Sequence, residues 1–270
     1  SRSIKMSVDQ DLAGKVVVIT GSGRGIGKQL AIGAAERGAR LALVEVIKEN
    51  LDATVKEIAA TGADVRGYHT DLGVESQVVE NFKTIEKDFG QIDCLVNNAM
   101  IHDPEELVDV TLEKWNRSLA ITLTASFLTI RAVLPGMIKR GSGNIINIGT
   151  VNAKTMIGSD SYSVAKAGIH ALTRTVAVRY GPNGIRCNTV VPGTIATDAW
   201  QERVDRNPTI FEKLKPWYPL GRVGKPKDIS EAVLFLLSDK SEWMSGSEMV
   251  VDGGLLAGLA PMYKMVEGSD

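Results

Sequence analysis

Thr20-Gly21-Ser22-Gly23-Arg24-Gly25-Ile26-Gly27 follows the apolar run Lys15 to Ile19 and opens a helix-like stretch. A chain uses this arrangement to hold a nucleotide pyrophosphate. Glycines at 21, 25 and 27 let the backbone turn sharply, approach the phosphates and pack the helix on the strand. The helix N-terminus adds unpaired N–H groups and about half a positive charge. Taken alone, the same run also reads as an ordinary strand-to-helix turn, so its meaning rests on the motifs that lie at fixed distances beyond it.

Working outward, short β-branched runs alternate with longer helical patterns from Lys15 to Asp252, which predicts repeated βα units and a parallel sheet covered on both faces. The expected strands are Val16–Thr20, Arg40–Val44, Asp64–Tyr68, Ile92–Asn97, Asn144–Ile148, Ile185–Val190 and Met249–Val251. The fold class is α/β, a doubly wound parallel sheet forming one domain over 12–256, with an N-terminal extension, 1–11, and a C-terminal tail, 257–270. Gln77 to Phe89 places Val78, Val79, Phe82, Ile85 and Phe89 on one helical side. Trp115 to Met137 is apolar nearly all round, and Tyr162 to Tyr180 carries small residues such as Ala165, Gly168 and Ala171. Helices of this kind want cover on two sides, which predicts packing on a second subunit.

Of the 270 residues, 44% are apolar and 23% charged, ample for a core. Lys+Arg 31 against Asp+Glu 32 gives a net charge of −1, without a basic arm to track nucleic acid. No apolar stretch is read as reaching the roughly 20 residues that cross a bilayer, and Ser1 to Gln10 lacks a signal-peptide layout. The expectation is a cytoplasmic protein with a small-molecule substrate and neither a membrane nor a nucleic-acid partner. Cys94 and Cys187 sit in strand-like contexts as buried thiols, and His69, His102 and His170 are scattered, so no metal site is expected.

Further motifs recur in order. Asn97-Asn98-Ala99 ends the fourth strand, Tyr162-Ser163-Val164-Ala165-Lys166 opens a later helix, and Asn188-Thr189-Val190-Val191-Pro192-Gly193 ends the sixth strand. Leu220 to Pro226, Asp228-Ile229 and Val251-Asp252-Gly253-Gly254 come next. Together these resemble the short-chain dehydrogenase/reductase family over nearly the whole chain. The resemblance implies a Rossmann-type fold, a nicotinamide cofactor, hydride transfer between an alcohol and a carbonyl, and frequently a tetramer.

Physically, Tyr162 and Lys166 lie one helical turn apart on one face, at the carboxyl edge of the sheet where the glycine loop also sits. A phenol with a pKa near 10 must drop by about three units to work near neutrality, roughly 4 kcal/mol. An ammonium some 4 Å away supplies about that much at an effective dielectric of 20. Lys166, helped by a positive nicotinamide, thus makes Tyr162 a general acid/base. By resemblance Lys166 also grips the nicotinamide ribose.

Three positions depart from the family pattern. Thr150, twelve residues before Tyr162, stands where a serine is usual; its hydroxyl can orient the substrate oxygen or simply satisfy the strand end. Thr122 replaces an asparagine that holds a relay water, and Met100 replaces a glycine, narrowing the pocket.

Glu45, eighteen residues after Gly27 at the end of the second strand, points to NAD through its ribose hydroxyls, with Arg24 as a competing signal for a 2′-phosphate. The expected cofactor path comprises Gly21, Ser22, Arg24, Gly25, Ile26, Gly27 and Glu45, then by resemblance Asp71, Leu72, Asn98, Ala99, Tyr162, Lys166, Pro192, Gly193, Ile195 and Thr197. The catalytic set is Tyr162, Lys166, Thr150 and Thr122. Substrate is expected among Asn152, Met156, Met100, His102 and Trp200, with Phe211, Trp217 and Tyr218 between Arg203, Arg206, Lys213 and Lys215 in a lid segment. Aromatic faces beside polar groups suit a sugar or polyol, and the cations leave room for an acidic substituent. The alternatives are an NADP-linked carbonyl or steroid reductase, and a cofactor-binding regulator without catalysis.

Overall fold

The computed structural model describes residues 9–102 and 105–268. Residues 1–8 of the expected N-terminal extension and 269–270 of the tail lie outside the described residues. Seven strands form one parallel sheet: β1 (Val16–Thr20), β2 (Arg40–Glu45), β3 (Val65–His69), β4 (Cys94–Asn97), β5 (Gly143–Ile148), β6 (Ile185–Pro192) and β7 (Glu248–Val251). Each expected strand is present, its ends shifted by at most two residues. The order β3-β2-β1-β4-β5-β6-β7 reverses between β1 and β4. At such a switch the crossovers leave in opposite directions, opening a crevice beyond the carboxyl ends of the strands.

The helices are α1 (Gly25–Glu36), α2 (Lys48–Ala59), α3 (Glu75–Phe89), α4 (Leu112–Leu119), α5 (Ala125–Arg140), α6 (Asp160–Tyr180), α7 (Gln201–Arg206), α8 (Ile210–Leu214), α9 (Pro226–Leu237) and α10 (Ala260–Glu267). Strand side chains alternate between two cores. Val16 and Val18 join Phe82 and Ile85 of α3 and Leu128 and Val133 of α5. Val17 and Ile19 join Leu30 and Ala34 of α1 and Leu234 and Leu237 of α9. Burial on both faces is why the central strands read as continuous apolar runs.

Two helices needed the structure to be understood. A wide π-helical turn, Ala120–Thr124, joins α4 to α5. The continuous rod Leu112–Arg140 is long and apolar enough by length and composition to cross a membrane, contrary to the expectation that no stretch would be. Half of its most apolar window is buried in this fold, where α5 covers the sheet beside α3. In α6, Thr173 belongs to a buried polar chain. Thr129 donates to Asn97 Oδ1 (2.7 Å), Asn97 Nδ2 donates to Asn147 Oδ1 (2.9 Å), and Asn147 Nδ2 donates to Thr173 Oγ1 (2.9 Å), which meets Thr189 Oγ1 at 2.7 Å. Satisfied polar groups in a dry interior fix one packing. This chain of bonds pins α6 to β5 and β6, and so sets where Tyr162 and Lys166 stand.

Candidate active site

A cavity of about 780 Å³ opens along the carboxyl edge of the sheet. Its wall runs from Glu45, the last residue of β2, past the glycine loop to Thr150, Tyr162 and Lys166 beyond β5. Gly21 adopts a left-handed φ of 63°, and a Cβ there would lie 2.8 Å from Ala99 Cα. At Gly27 a Cβ would fall 2.1 Å from the Gly21 carbonyl oxygen. The loop is therefore folded tightly onto the start of α1, and its outer backbone faces the cavity. Asn98 holds it from β4: Nδ2 donates to the carbonyls of Thr20 (3.1 Å) and Gly21 (2.9 Å). The Thr20 hydroxyl accepts from the backbone N–H groups of Asn98 and Ala99.

Gly21, Arg24, Gly25, Ile26, Glu45, Asp71, Leu72, Asn98, Ala99, Pro192, Gly193, Ile195 and Thr197 all line this cavity, as expected. Ser22 and Gly27 do not. Ser22 is fully buried and its hydroxyl donates to the Val44 carbonyl (3.3 Å), while Gly27 serves the packing beneath the loop. Glu45 is buried, accepting from Gly23 N–H through Oε2 (3.0 Å) and from Val46 and Ile47 N–H through Oε1 (2.9 and 3.0 Å). Arg24 is exposed and makes no ion pair among the described residues. A cradle that would be filled by a Cβ, a helix N-terminus and a fixed carboxylate together fit a dinucleotide.

At the other end, Tyr162 is half-buried on the wall and Lys166 is 2% exposed. Burial pushes the Tyr162 phenol up to about 12, its hydrogen bond with Thr150 pulling back. Burial also brings the Lys166 ammonium down to about 7. The Lys166 amine donates to the Ile148 carbonyl and lies 5.6 Å from the centre of the Tyr162 ring. The expected drop in the tyrosine pKa is thus not a property of the protein groups by themselves, because dehydration of the phenol outweighs the pull of Thr150. Thr150 lines the cavity and also caps the turn that follows it, accepting from Asn152 N–H at 3.3 Å.

Two further expected positions, at the substrate end, lie off the wall. Thr122 is completely buried in the π turn, and its hydroxyl is engaged with both the N–H (3.3 Å) and the carbonyl (3.4 Å) of Ile101. Met156 is 71% exposed and outside the cavity; the neighbouring Ile157 lines it instead, because the loop turns over between them. Asn152, Met100, His102 and Trp200 do line it. Of the lid aromatics only Trp200 reaches the cavity. Phe211 backs it with ring centres 5.6 Å apart, Tyr218 is buried with its hydroxyl accepting from Thr194 N–H (2.9 Å), and Trp217 is 47% exposed. Arg203 and Arg206 face inward, whereas Lys215 pairs with Glu212 at 2.6 Å. Arg117 and Ser159 also line the wall, and no sequence signal marked them.

A family model described as enoyl-(acyl carrier protein) reductase matches residues 21–256. The chain is 40% identical over 246 residues to an uncharacterized oxidoreductase of Schizosaccharomyces pombe, covering 91% of this chain and 92% of that one. It is 34% identical to 2-(S)-hydroxypropyl-CoM dehydrogenase 3 of Xanthobacter autotrophicus, covering 91% and 98%. Among solved structures it resembles a short-chain dehydrogenase/reductase family oxidoreductase from Burkholderia thailandensis, with a TM-score of 0.88, 36% identity and coverage of 95% and 98%. With the dinucleotide cradle and the Tyr162/Lys166 pair on one cavity, these matches have one meaning: the chain belongs to the short-chain dehydrogenase/reductase family, oxidoreductases that act on CH–OH groups with a nicotinamide dinucleotide.

Proposed function

We propose that this protein is an NAD-dependent dehydrogenase of a compact secondary alcohol, with a sugar or polyol favoured, or a reductase of the corresponding carbonyl compound. The observation that carries the reading is the single cavity joining Glu45 to Tyr162, Lys166 and Thr150. Glu45 is set to accept from ribose hydroxyls. Its Oε1 already takes two N–H bonds and Oε2 one, which leaves an acceptor direction on the cavity side. A 2′-phosphate would meet this carboxylate as a like charge. The bound nicotinamide supplies or takes up the hydride.

The chain's own residues handle the proton. Tyr162, neutral over the physiological range, stands ready to donate to a carbonyl oxygen. In the oxidative direction the alcohol's proton goes to the Tyr162 phenolate, the form that a charged Lys166 favours. Thr150 holds the same oxygen through its hydroxyl. Thr122, locked onto Ile101, supports the segment leading to Met100 and His102 rather than reaching the reacting atoms. The reading extends to a cytoplasmic homotetramer, supported by two buried free thiols and by apolar side chains left exposed on the long helices, among them Phe127, Val164 and Val178.

Tyr162→Phe tests the assignment. Loss of about 10²–10⁴-fold in turnover is expected, with NADH binding, read by fluorescence, kept within a few-fold. A variant retaining more than a tenth of the wild-type rate would remove Tyr162 from the proton transfer, and NADH binding without turnover of any alcohol or carbonyl by the wild type would instead favour a cofactor-binding regulator.

A further inference from the structure

The substrate end of the cavity carries an arginine that forms no ion pair among the described residues. Arg203, on α7, lines the wall, and no carboxylate lies within 4.0 Å of its guanidinium among the described residues. Its plane is fixed from two sides. The guanidinium carbon stands 4.6 Å from the centre of the Trp200 ring, and Nη2 donates to the imidazole of His102. That imidazole lies 6.2 Å from the Tyr162 ring, centre to centre, so Arg203 is one side chain removed from the proposed proton donor. Ser159 contacts the same imidazole and is the one non-glycine residue with positive φ (65°) among the described residues. Left-handed backbone at such a residue is strained and persists where the surroundings impose it.

The charge balance on this wall is positive. Arg206 and Arg117 also face the cavity, and Asp198 is the acidic residue on this side. Burial and Arg206 lower the Arg203 pKa, and the Glu202 carboxylate, which makes no ion pair with it, pulls back only in part. A half-buried guanidinium beside another cation, with most of its five N–H donors uncommitted, calls for an anion. The guanidinium beside the Trp200 indole presents its donors as a planar fork, which a carboxylate meets with two parallel hydrogen bonds.

We infer that the alcohol acted on is a hydroxy acid, its carboxylate held by the fork of Arg203 while its secondary hydroxyl lies at Tyr162 and Thr150. This rests on the dehydrogenase reading and narrows the substrate class. Recognition of this kind acts on binding, so KM rather than kcat should carry the discrimination.

The test compares lactate, 3-hydroxybutyrate, malate and gluconate with their primary amides and with glucitol and glycerol 3-phosphate, for the wild type, Arg203→Gln and Arg203→Lys. The wild type should prefer at least one acid over its amide by 100-fold or more in kcat/KM. In Arg203→Gln that acid-to-amide ratio should fall at least 50-fold, mainly through KM, and Arg203→Lys should restore only part of it. Equal use of acid and amide, a preference for the phosphate, or a ratio unchanged in Arg203→Gln would each overturn the inference while leaving the dehydrogenase reading intact. Calorimetric titration of the same acids separates the two claims further. Binding that depends on Arg203 without turnover supports the acid site and removes the dehydrogenase reading, whereas neither binding nor turnover of any acid overturns the inference.

Discussion

The Glu45 carboxylate at the end of β2 accepts a hydrogen bond from the Gly23 N–H at 3.0 Å, tying the residue proposed to read the adenosine ribose to the loop proposed to hold the pyrophosphate. Glu45→Gln keeps the size and one acceptor but removes the charge that opposes a 2′-phosphate. The NAD-to-NADP ratio of kcat/KM should fall at least tenfold, about 1.4 kcal/mol. Steady-state kinetics with both cofactors checks this, and an unchanged ratio would show that Glu45 only braces the loop.

Thr150 offers a sharper test of hydroxyl chemistry, since it both lines the cavity and bonds Tyr162. Thr150→Ser should keep at least a third of the activity. Thr150→Ala should lose about 100-fold in kcat, on the scale of removing one donor to a reacting oxygen. Losing the bond that lowers the Tyr162 pKa should also move the alkaline limb of the pH–rate profile upward. Equal rates for serine and alanine would remove the hydroxyl from the mechanism.

Lys166 makes a stability prediction in the unliganded protein. Its pKa of about 7 in the fold lies below the unfolded value of 10.5. Between those values the unfolded chain binds the additional proton, so stability rises with pH by up to roughly 1.4 kcal/mol per unit. Below pH 7 the full penalty of burying the charge is present. Lys166→Met removes it, so denaturant titrations should show the variant's advantage shrinking from pH 7 to 9. A difference independent of pH would mean that the amine is hydrated.

Two glycines bracket the packing claim. Gly27→Ala puts a methyl 2.1 Å from the Gly21 carbonyl oxygen and should destabilise by about 1–3 kcal/mol, with weaker NADH binding. Gly181→Ala, with open space and a φ of −54°, should be close to neutral. Paired thermal melts decide, and equal melting temperatures would show that the loop yields.

The sequence by itself determined the sheet and one end of the site. The continuous apolar runs of the central strands can be buried on both faces only by a parallel sheet with helices on each side, and local spacing places Tyr162 and Lys166 on one helical face. Gly21, Gly25 and Glu45 were legible for the same reason, since a strand, a turn and a helix start are set by neighbours in the chain. Tertiary structure decided the rest. That Ser22 turns inward, that Thr122 spends its hydroxyl on Ile101, and that Met156 yields its place to Ile157 depend on where loops from different strands settle. The meeting of Arg203, His102, Trp200 and Ser159 depends on it most. Those residues come from three separate crossovers, with no periodicity linking them, and only the docking of α6 and the lid over one sheet edge brings a cation and a phenol to the same cavity.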